Sequence, residues 1–327
     1  MVQKSVFITG ANGGLGFETS KILALQGFRS ITMAARTQHR ADNAKARLLA
    51  SISPKGRIEA MGGFDMNNPK SIESAVANLP KGKPYDIIFL QAGGVVFGQD
   101  YQYVNFADKE IERTIFQNAI GGYITLVNLI KSDLVAQNAR IVFAGGEGAR
   151  GIPGMIEKPV FRKEKDFLDY LTGTNPPKPY HPMNGIGVSK LASAWIVQKL
   201  AELNDRCTNV WFTPGLTHGT NGLATQSPVK RFFAEKIMFS ITAMLGLSQS
   251  PQRGAEKYVD ALLGKYGVNG DVLGAPEGKV LGKIVDQKPM NPSLTNRLIM
   301  ETFWDLLQEI YPFPEDVPVS EPLQSSK

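Results

Sequence analysis

The residues with the clearest chemical pattern are Thr9-Gly10-Ala11-Asn12-Gly13-Gly14-Leu15-Gly16. They stand between an apolar run and a helical pattern, the kind of junction where N–H groups at a helix N-terminus meet a dinucleotide pyrophosphate. Glycine permits that close approach, and Gly10, Gly14 and Gly16 give a TGxxxGxG spacing rather than GxGxxG. Other chemistries find little support. The three histidines, His39, His181 and His218, lack metal-ligand spacing, and no serine triad can be assembled from them. The one cysteine, Cys207, has no internal disulfide partner and belongs to no ligand cluster, which fits a reducing cytoplasm.

The elements that must position the glycine turn alternate regularly. Ser5 to Thr9 reads as a strand and Gly14 to Gln26 as a helix, with Leu15, Ile22, Leu23 and Leu25 at helical spacing. Ser30 to Ala35, Ile58 to Phe64, Asp86 to Leu90, Arg140 to Ala144 and Val210 to Thr213 are further β-type runs. Between them lie helical patterns at Ala41 to Leu49, Pro69 to Leu79, Ile111 to Leu134 and Val188 to Leu203. This alternation predicts an α/β Rossmann fold with a doubly wound parallel sheet. Two stretches break the rhythm as insertions. Gly145 to Gly187 carries one short helix around Lys163 to Leu171, and Ser227 to Leu247 joins a basic start to an apolar helix. Helices near Ala255 to Leu263 and Thr295 to Ile310 follow, with a frayed tail from about Pro322.

At 327 residues, with 43% hydrophobic and 20% charged residues, one domain over 1–327 is expected, with a core at about 4–220 and lid and C-terminal helices at about 221–321. The net charge of +6 comes from scattered lysines and arginines, so a nucleic-acid partner is not expected. No secretory signal opens the chain, and the longest apolar stretch, Ile237 to Leu247, is too short to span a bilayer. The expectation is a soluble cytoplasmic protein, and a homodimer stays open.

From residue 4 to about 220 the order of motifs resembles the short-chain dehydrogenase/reductase family. The resemblance implies NAD(P) binding through Gly10, Asn12, Gly14, Leu15 and Gly16. Ala34-Ala35-Arg36 ends the second strand where NAD enzymes carry an acid for the ribose 2′-hydroxyl. Arg36, with Thr37 beside it, suits a 2′-phosphate, so NADP(H) is the expected cofactor, although Arg40 or Lys45 could serve instead. By the same resemblance Asp65 and Met66 hold the adenine. Gln91-Ala92-Gly93-Gly94 stands for the family's NNAG, with Ala92 and Gly93 letting the cofactor pass. Pro214-Gly215, with Thr217 or Thr220, lines the nicotinamide. Asn118 matches the tetrad asparagine, which lies at a helix distortion and holds a proton-relay water, and Lys190, in Ser189-Lys190-Leu191-Ala192, matches the tetrad lysine.

The other half of the tetrad is absent. The family's tyrosine stands four residues before the lysine, one helical turn away, and here that residue is Ile186. The substrate-binding serine falls at Gly146, or at Glu147 if the register slips by one. Losing a positioned general acid typically costs about 10² to 10⁴ in rate, so efficient ketone reduction is not expected. Tyr180 and His181, in the insertion, and Glu147, after the fifth strand, are candidate substitutes; His218 has a weaker claim. The long spacing to Lys190 and the C-terminal extension look most like the retinol dehydrogenase and protochlorophyllide reductase branch, which implies a hydrophobic small-molecule substrate, with Phe232 to Leu247 as its lid. The expected function is an atypical NADPH-dependent reductase of an activated C=C or C=N bond. A non-redox isomerase or cyclase and a silent NADP(H)-binding regulator are the alternatives.

Overall fold

The computed structural model describes residues 2–176, 178–203, 206–218 and 248–314. The strands of its main sheet are β1 (Val2–Thr9), β2 (Phe28–Ala34), β3 (Arg57–Met61), β4 (Tyr85–Leu90), β7 (Val135–Ala144), β8 (Thr208–Phe212), β9 (Asp271–Gly274) and β10 (Val285–Asp286). Their order is β10-β9-β8-β7-β4-β1-β2-β3, and every pairing is parallel except β9 with β10. The remaining pair, β5 (Tyr103–Phe106) and β6 (Lys109–Glu112), forms a separate hairpin.

The strands are apolar on both faces because helices cover both. Val6, Ile8 and Phe89 belong to a core under α1 (Gly14–Leu25), α2 (Gln38–Ser51) and α7 (Pro251–Leu262), whereas Phe7, Ile88 and Phe143 face the opposite core. That second core lies under α3 (Pro69–Ala77), the helical run α4 at 113–131, α5 (Glu164–Thr172) and α6 (Pro182–Leu203). Period-two alternation thus sends neighbouring side chains to different cores. Leu90 pairs with Phe143 and Ala144 with Phe212, so β4, β7 and β8 end level. The chain winds outward in both directions from β1 and β4, and the crevice at their carboxyl ends is where an open α/β sheet takes a ligand.

Several elements differ from the sequence reading. The helix expected from Ile111 starts at Arg113, because Ile111 and Glu112 lie in β6. A two-residue turn at Ala107 and Asp108, both at positive φ (50° and 58°), closes the hairpin, and Glu112 then caps the helix by accepting the Ile115 N–H at 2.8 Å. Helix α6 begins at Pro182, six residues before the expected Val188, with proline in the first turn where its missing N–H costs nothing. Strands β9 and β10 were not read from the sequence; each is only a few residues long.

Helix α8 (Arg297–Ile310) covers α4, α5 and α6 within the same chain. The Trp195 indole donates to the Ser293 carbonyl at 2.8 Å, Phe303 meets Phe167 with centroids 5.4 Å apart, and Trp304 meets Tyr123 at 5.7 Å. Among the described residues no helix is long and apolar enough to cross a membrane. The expected lid at Phe232 to Leu247, Thr220 and the tail beyond Pro322 lie outside the described residues.

Candidate functional site

The exit of β1 is a glycine turn that opens onto an uncapped helix N-terminus. Gly10 and Gly14 have φ of 68° and 52°, conformations that a side chain would strain. A Cβ on Gly16 would lie 2.5 Å from the Gln91 amide oxygen and 2.6 Å from the Gly10 carbonyl, so the turn closes only with glycine there. Helix α1 follows with Gly13 as its N-cap, no capping side chain and no acid in its first turn. Its first N–H groups and positive dipole end therefore remain available to a diphosphate. Leu15 turns its side chain toward Gly254 of α7, which anchors the turn from behind.

Around this turn the expected adenosine residues come together. Arg36, exposed at the end of β2, has its Nε 3.9 Å from Asp65 Oδ1. Asp65 also accepts the Asn67 N–H at 3.1 Å, and Met66 is braced by α4, where a Cβ on Gly121 would lie 2.5 Å from the Met66 carbonyl. Thr37 caps α2 by accepting the Arg40 N–H at 3.4 Å. Arg47, which the sequence reading passed over, reaches the Asn12 carbonyl at 3.5 Å and lies 4.5 Å over the Phe17 ring. Its signal would have been position, nine residues past the start of α2, which only the fold reveals.

After β4, the N–H groups of Gln91 and Ala92 both donate to Thr9 Oγ1, at 2.9 and 3.0 Å. Asn118 sits inside a π-helical segment, Phe116–Ile120, so the helix distortion lies where the sequence reading put it. Its Oδ1 accepts the Gly94 N–H, and its Nδ2 donates to the Gly94 and Thr114 carbonyls, all at 2.9 Å. Both amide hydrogens are therefore spent on the backbone. Gly93 must be glycine, since its Cβ would lie 2.3 Å from Asn118 Oδ1.

Lys190 and Ile186 stand one turn apart on α6. The Lys190 ammonium donates to the Ala144 carbonyl at 2.7 Å, and burial without an acidic partner lowers its pKa from 10.5 to about 8. Gly146 faces it, with a Cβ position 3.2 Å from Lys190 Cγ. Glu147 turns elsewhere: Thr213 Oγ1 donates to its Oε2 at 2.9 Å and the Ala275 N–H to its Oε1 at 3.3 Å. Burial raises its pKa. Tyr180 is also buried, its hydroxyl donating to the Val96 carbonyl at 2.5 Å and lying 3.1 Å from Thr114 Oγ1; burial raises its pKa too. His181 is exposed, and with Tyr180 it lines a cleft of about 760 Å³ beside Arg150, Asn184 and Glu277. Lys190, Ile186 and Asn118 are not on its wall. His218 Nδ1 lies 3.1 Å from Ser248 Oγ.

The segment after β8 is held more densely than its sequence suggests. The Pro214 carbonyl accepts from Gln249 Nε2 at 2.8 Å and Lys257 Nζ at 2.9 Å, while Thr217 Oγ1 donates to the Gly215 carbonyl at 3.1 Å. Gln249 and Lys257 were not singled out from the sequence, because an ordinary glutamine and a helix lysine carry no motif.

The family model for short chain dehydrogenases matches residues 4–156. A WW domain-containing oxidoreductase from Gallus gallus is 27% identical over 256 residues, 77% of this chain and 56% of that protein, so the chain spans little more than half of this relative's length. A short-chain type dehydrogenase/reductase from Mycobacterium ulcerans shares the fold with a TM-score of 0.58 at 16% identity, over 92% of this chain and 98% of that one. The Pseudomonas aeruginosa RhlG/NADP active-site complex shares it at 0.53 and 18% identity, over 82% and 93%. The sequence match runs from β1 to the turn beyond β7, the stretch that builds both the glycine turn and the Asn118 helix, and over these residues the chain is similar to the short chain dehydrogenases.

Proposed function

We propose that this chain is an NADPH-dependent reductase acting on an activated C=C or C=N bond of a hydrophobic small molecule. The observation that carries this reading is the position one turn before Lys190. Ile186 has no proton to give there, and Tyr180 and Glu147 have their polar atoms engaged by Val96, Thr114, Thr213 and Ala275. A conjugated C=C bond or an iminium needs little help from an acid at the moment of reduction.

NADPH, when bound, supplies the hydride. The chain's own part is to hold and orient. Gly10, Asn12, Gly14, Leu15 and Gly16 bring backbone N–H groups to the diphosphate, and Arg36 and Thr37 take the 2′-phosphate side. Asp65 and Met66 border the adenine, Ala92 and Gly93 leave room over the sheet, and Lys190 binds the nicotinamide ribose. Pro214, Gly215 and Thr217 line the nicotinamide. An enone takes its later proton from water, because the exposed His181 lies on a cleft whose wall does not include Lys190. The NADP complex of a protein with the same fold agrees with this choice of cofactor.

The test follows NADPH oxidation against product for a panel of enones, imines and simple carbonyls. Oxidation that tracks product for an enone or imine supports the proposal. No oxidation with any of them overturns it. A second reading, a silent NADP(H)-binding protein, is favoured by the Lys190 ammonium being turned to the Ala144 carbonyl. Tight NADPH binding without turnover would select it, and product formed with no net NADPH loss would instead select an isomerase or cyclase.

A further inference from the structure

Glu147 opens a single turn of 3₁₀-helix, Glu147–Arg150, directly after β7, and both of its charged residues are buried. Such residues are seldom buried unless their polar atoms are satisfied. Here they are used on two loops. Glu147 accepts from Thr213 Oγ1, the residue before Pro214, and from the Ala275 N–H, just beyond β9. Thr213 Oγ1 in turn accepts the Gly215 N–H at 3.4 Å. Arg150 donates to the Gly151, Pro276 and Lys279 carbonyls. The 276–281 segment closes back on the same place, because the Leu216 N–H donates to the Val280 carbonyl at 2.8 Å. Gly215, at φ 96°, has no room for a Cβ, which would lie 2.7 Å from the Val280 carbonyl.

We propose that Glu147 is the positioning residue of the Pro214–Gly215 wall: its two carboxylate oxygens fix the exits of β8 and β9 relative to each other and thereby set where the nicotinamide half of the cofactor rests. This rests on the reading that Pro214, Gly215 and Thr217 face the nicotinamide. Glu147 touches no ligand, since its residue is only 6% exposed and both oxygens are engaged. A carboxylate suits the place because both partners are donors. An amide would turn its NH₂ toward one of them, and alanine would leave both without an acceptor. The charges around it are Arg150 on its own turn and Lys257 from α7, whose ammonium holds the Pro214 carbonyl.

The experiment compares the parent with Glu147→Gln and Thr213→Val, the latter removing the hydroxyl while keeping the volume. Calorimetry measures NADPH and 2′,5′-ADP, which carries the adenosine half alone. Amide hydrogen exchange at Gly215 and Leu216 is read on the ligand-free proteins. Losing one buried hydrogen bond should weaken NADPH about tenfold in both variants. Binding of 2′,5′-ADP should stay within about twofold, on the argument that distant sites act independently. Exchange at Gly215 and Leu216 should quicken in both. Equal losses for the two ligands would mean general destabilisation and would overturn the assignment, as would unchanged NADPH binding or unchanged exchange. If the parent binds neither ligand, the cofactor reading falls and exchange alone decides: quickening at Leu216 in Glu147→Gln upholds the hold on the wall, and none removes it, while Gly215 in Thr213→Val is not counted because that variant itself removes the acceptor of the Gly215 N–H. Should Glu147→Gln fail to fold, Thr213→Val decides by its NADPH and 2′,5′-ADP affinities and by exchange at Leu216 alone.

Discussion

The exits of β1 and β7 are both glycine-rich, but they use glycine differently. After β1 the chain enters the 12-residue α1, whose N-terminus has no capping side chain and no acid in its first turn. That exit leaves backbone N–H groups free for a ligand's charge. After β7 the glycines make room for the protein itself. A Cβ on Gly145 would lie 2.7 Å from the Trp211 ring, and one on Gly148 3.1 Å from Gly187 Cα. The charged residues that follow, Glu147 and Arg150, are used on neighbouring loops. On the proposed reading, binding the nucleotide and donating a proton are therefore separable, and it is the β1 exit whose polar groups remain available.

The largest effect expected is a gain. Tyrosine at 186 would stand one turn before Lys190, beside an ammonium, and serine at 146 would face the same lysine. The only close contact of the new Cβ at 146 is the flexible Lys190 side chain at 3.2 Å, which can give way. Ile186→Tyr with Gly146→Ser should raise NADPH-dependent reduction of a simple ketone by about a hundredfold or more, in line with the value of a positioned acid. A parent enzyme that already reduces ketones at the variant's rate would erase the contrast between the two exits.

On the β1 side the corresponding test is destructive. Gly16→Ala places a methyl group 2.6 Å from the Gly10 carbonyl, which is backbone and cannot swing aside. Overpacking of this sort costs about 1–3 kcal/mol, so NADPH affinity should drop by about tenfold or more by titration. Gly122→Ala, whose nearest neighbour would be at 3.7 Å, is the control and should bind as the parent does. Equal affinities for the two variants would show that the turn does not need its close approach.

These contrasts also explain which parts of the molecule were legible in its sequence. The glycine spacing, the alternating apolar runs and the π-distorted helix at Asn118 leave local marks, because each is a short-range demand on the chain. Lys190 was legible through its neighbours Ser189, Leu191 and Ala192. The roles of Gln249, Lys257 and Arg47 were not, since each acts on a segment far away in sequence and its residue type is unremarkable locally. Tyr180 was read as a candidate acid because it lies in the insertion, shortly before the helix that carries Lys190. The structure buries its hydroxyl between Val96 and Thr114, a contact across 84 positions that no local pattern announces.

Lys190 joins the two halves, and pH isolates its share. Burial lowers its pKa from 10.5 to about 8, so the folded protein releases this proton near pH 8 while the unfolded chain keeps it to about 10.5. Across that interval unfolding takes up a proton, and this group makes stability rise with pH. Below about 8 the ammonium is charged in both states and its contribution is flat. Lys190→Met should remove the rise in urea titrations between pH 8 and 10. If the cation is the form that holds the ribose, NADPH affinity should move the other way and weaken about tenfold from pH 7 to 9, since a group titrating near 8 is then about nine-tenths discharged. An affinity flat over that range would release Lys190 from cofactor binding.

The smallest effect concerns Arg36. Its guanidinium is exposed and stands 3.9 Å from Asp65, too far for a strong pair, so it adds little to folding and remains available to a ligand. A 2′-phosphate there would gain a charge-assisted bond in a solvated setting, with Arg47 about the same turn as a second cation. Arg36→Ala should therefore lower the preference for NADPH over NADH by roughly three- to tenfold, while leaving NADH affinity and thermal stability near the parent values. Removing Asp65 by Asp65→Asn should shift the same ratio slightly toward NADPH, because the arginine loses the anion that stands 3.9 Å from it. If both ratios stay fixed, the cation that reads the phosphate is another one, and Arg47→Ala becomes the substitution that should collapse the preference.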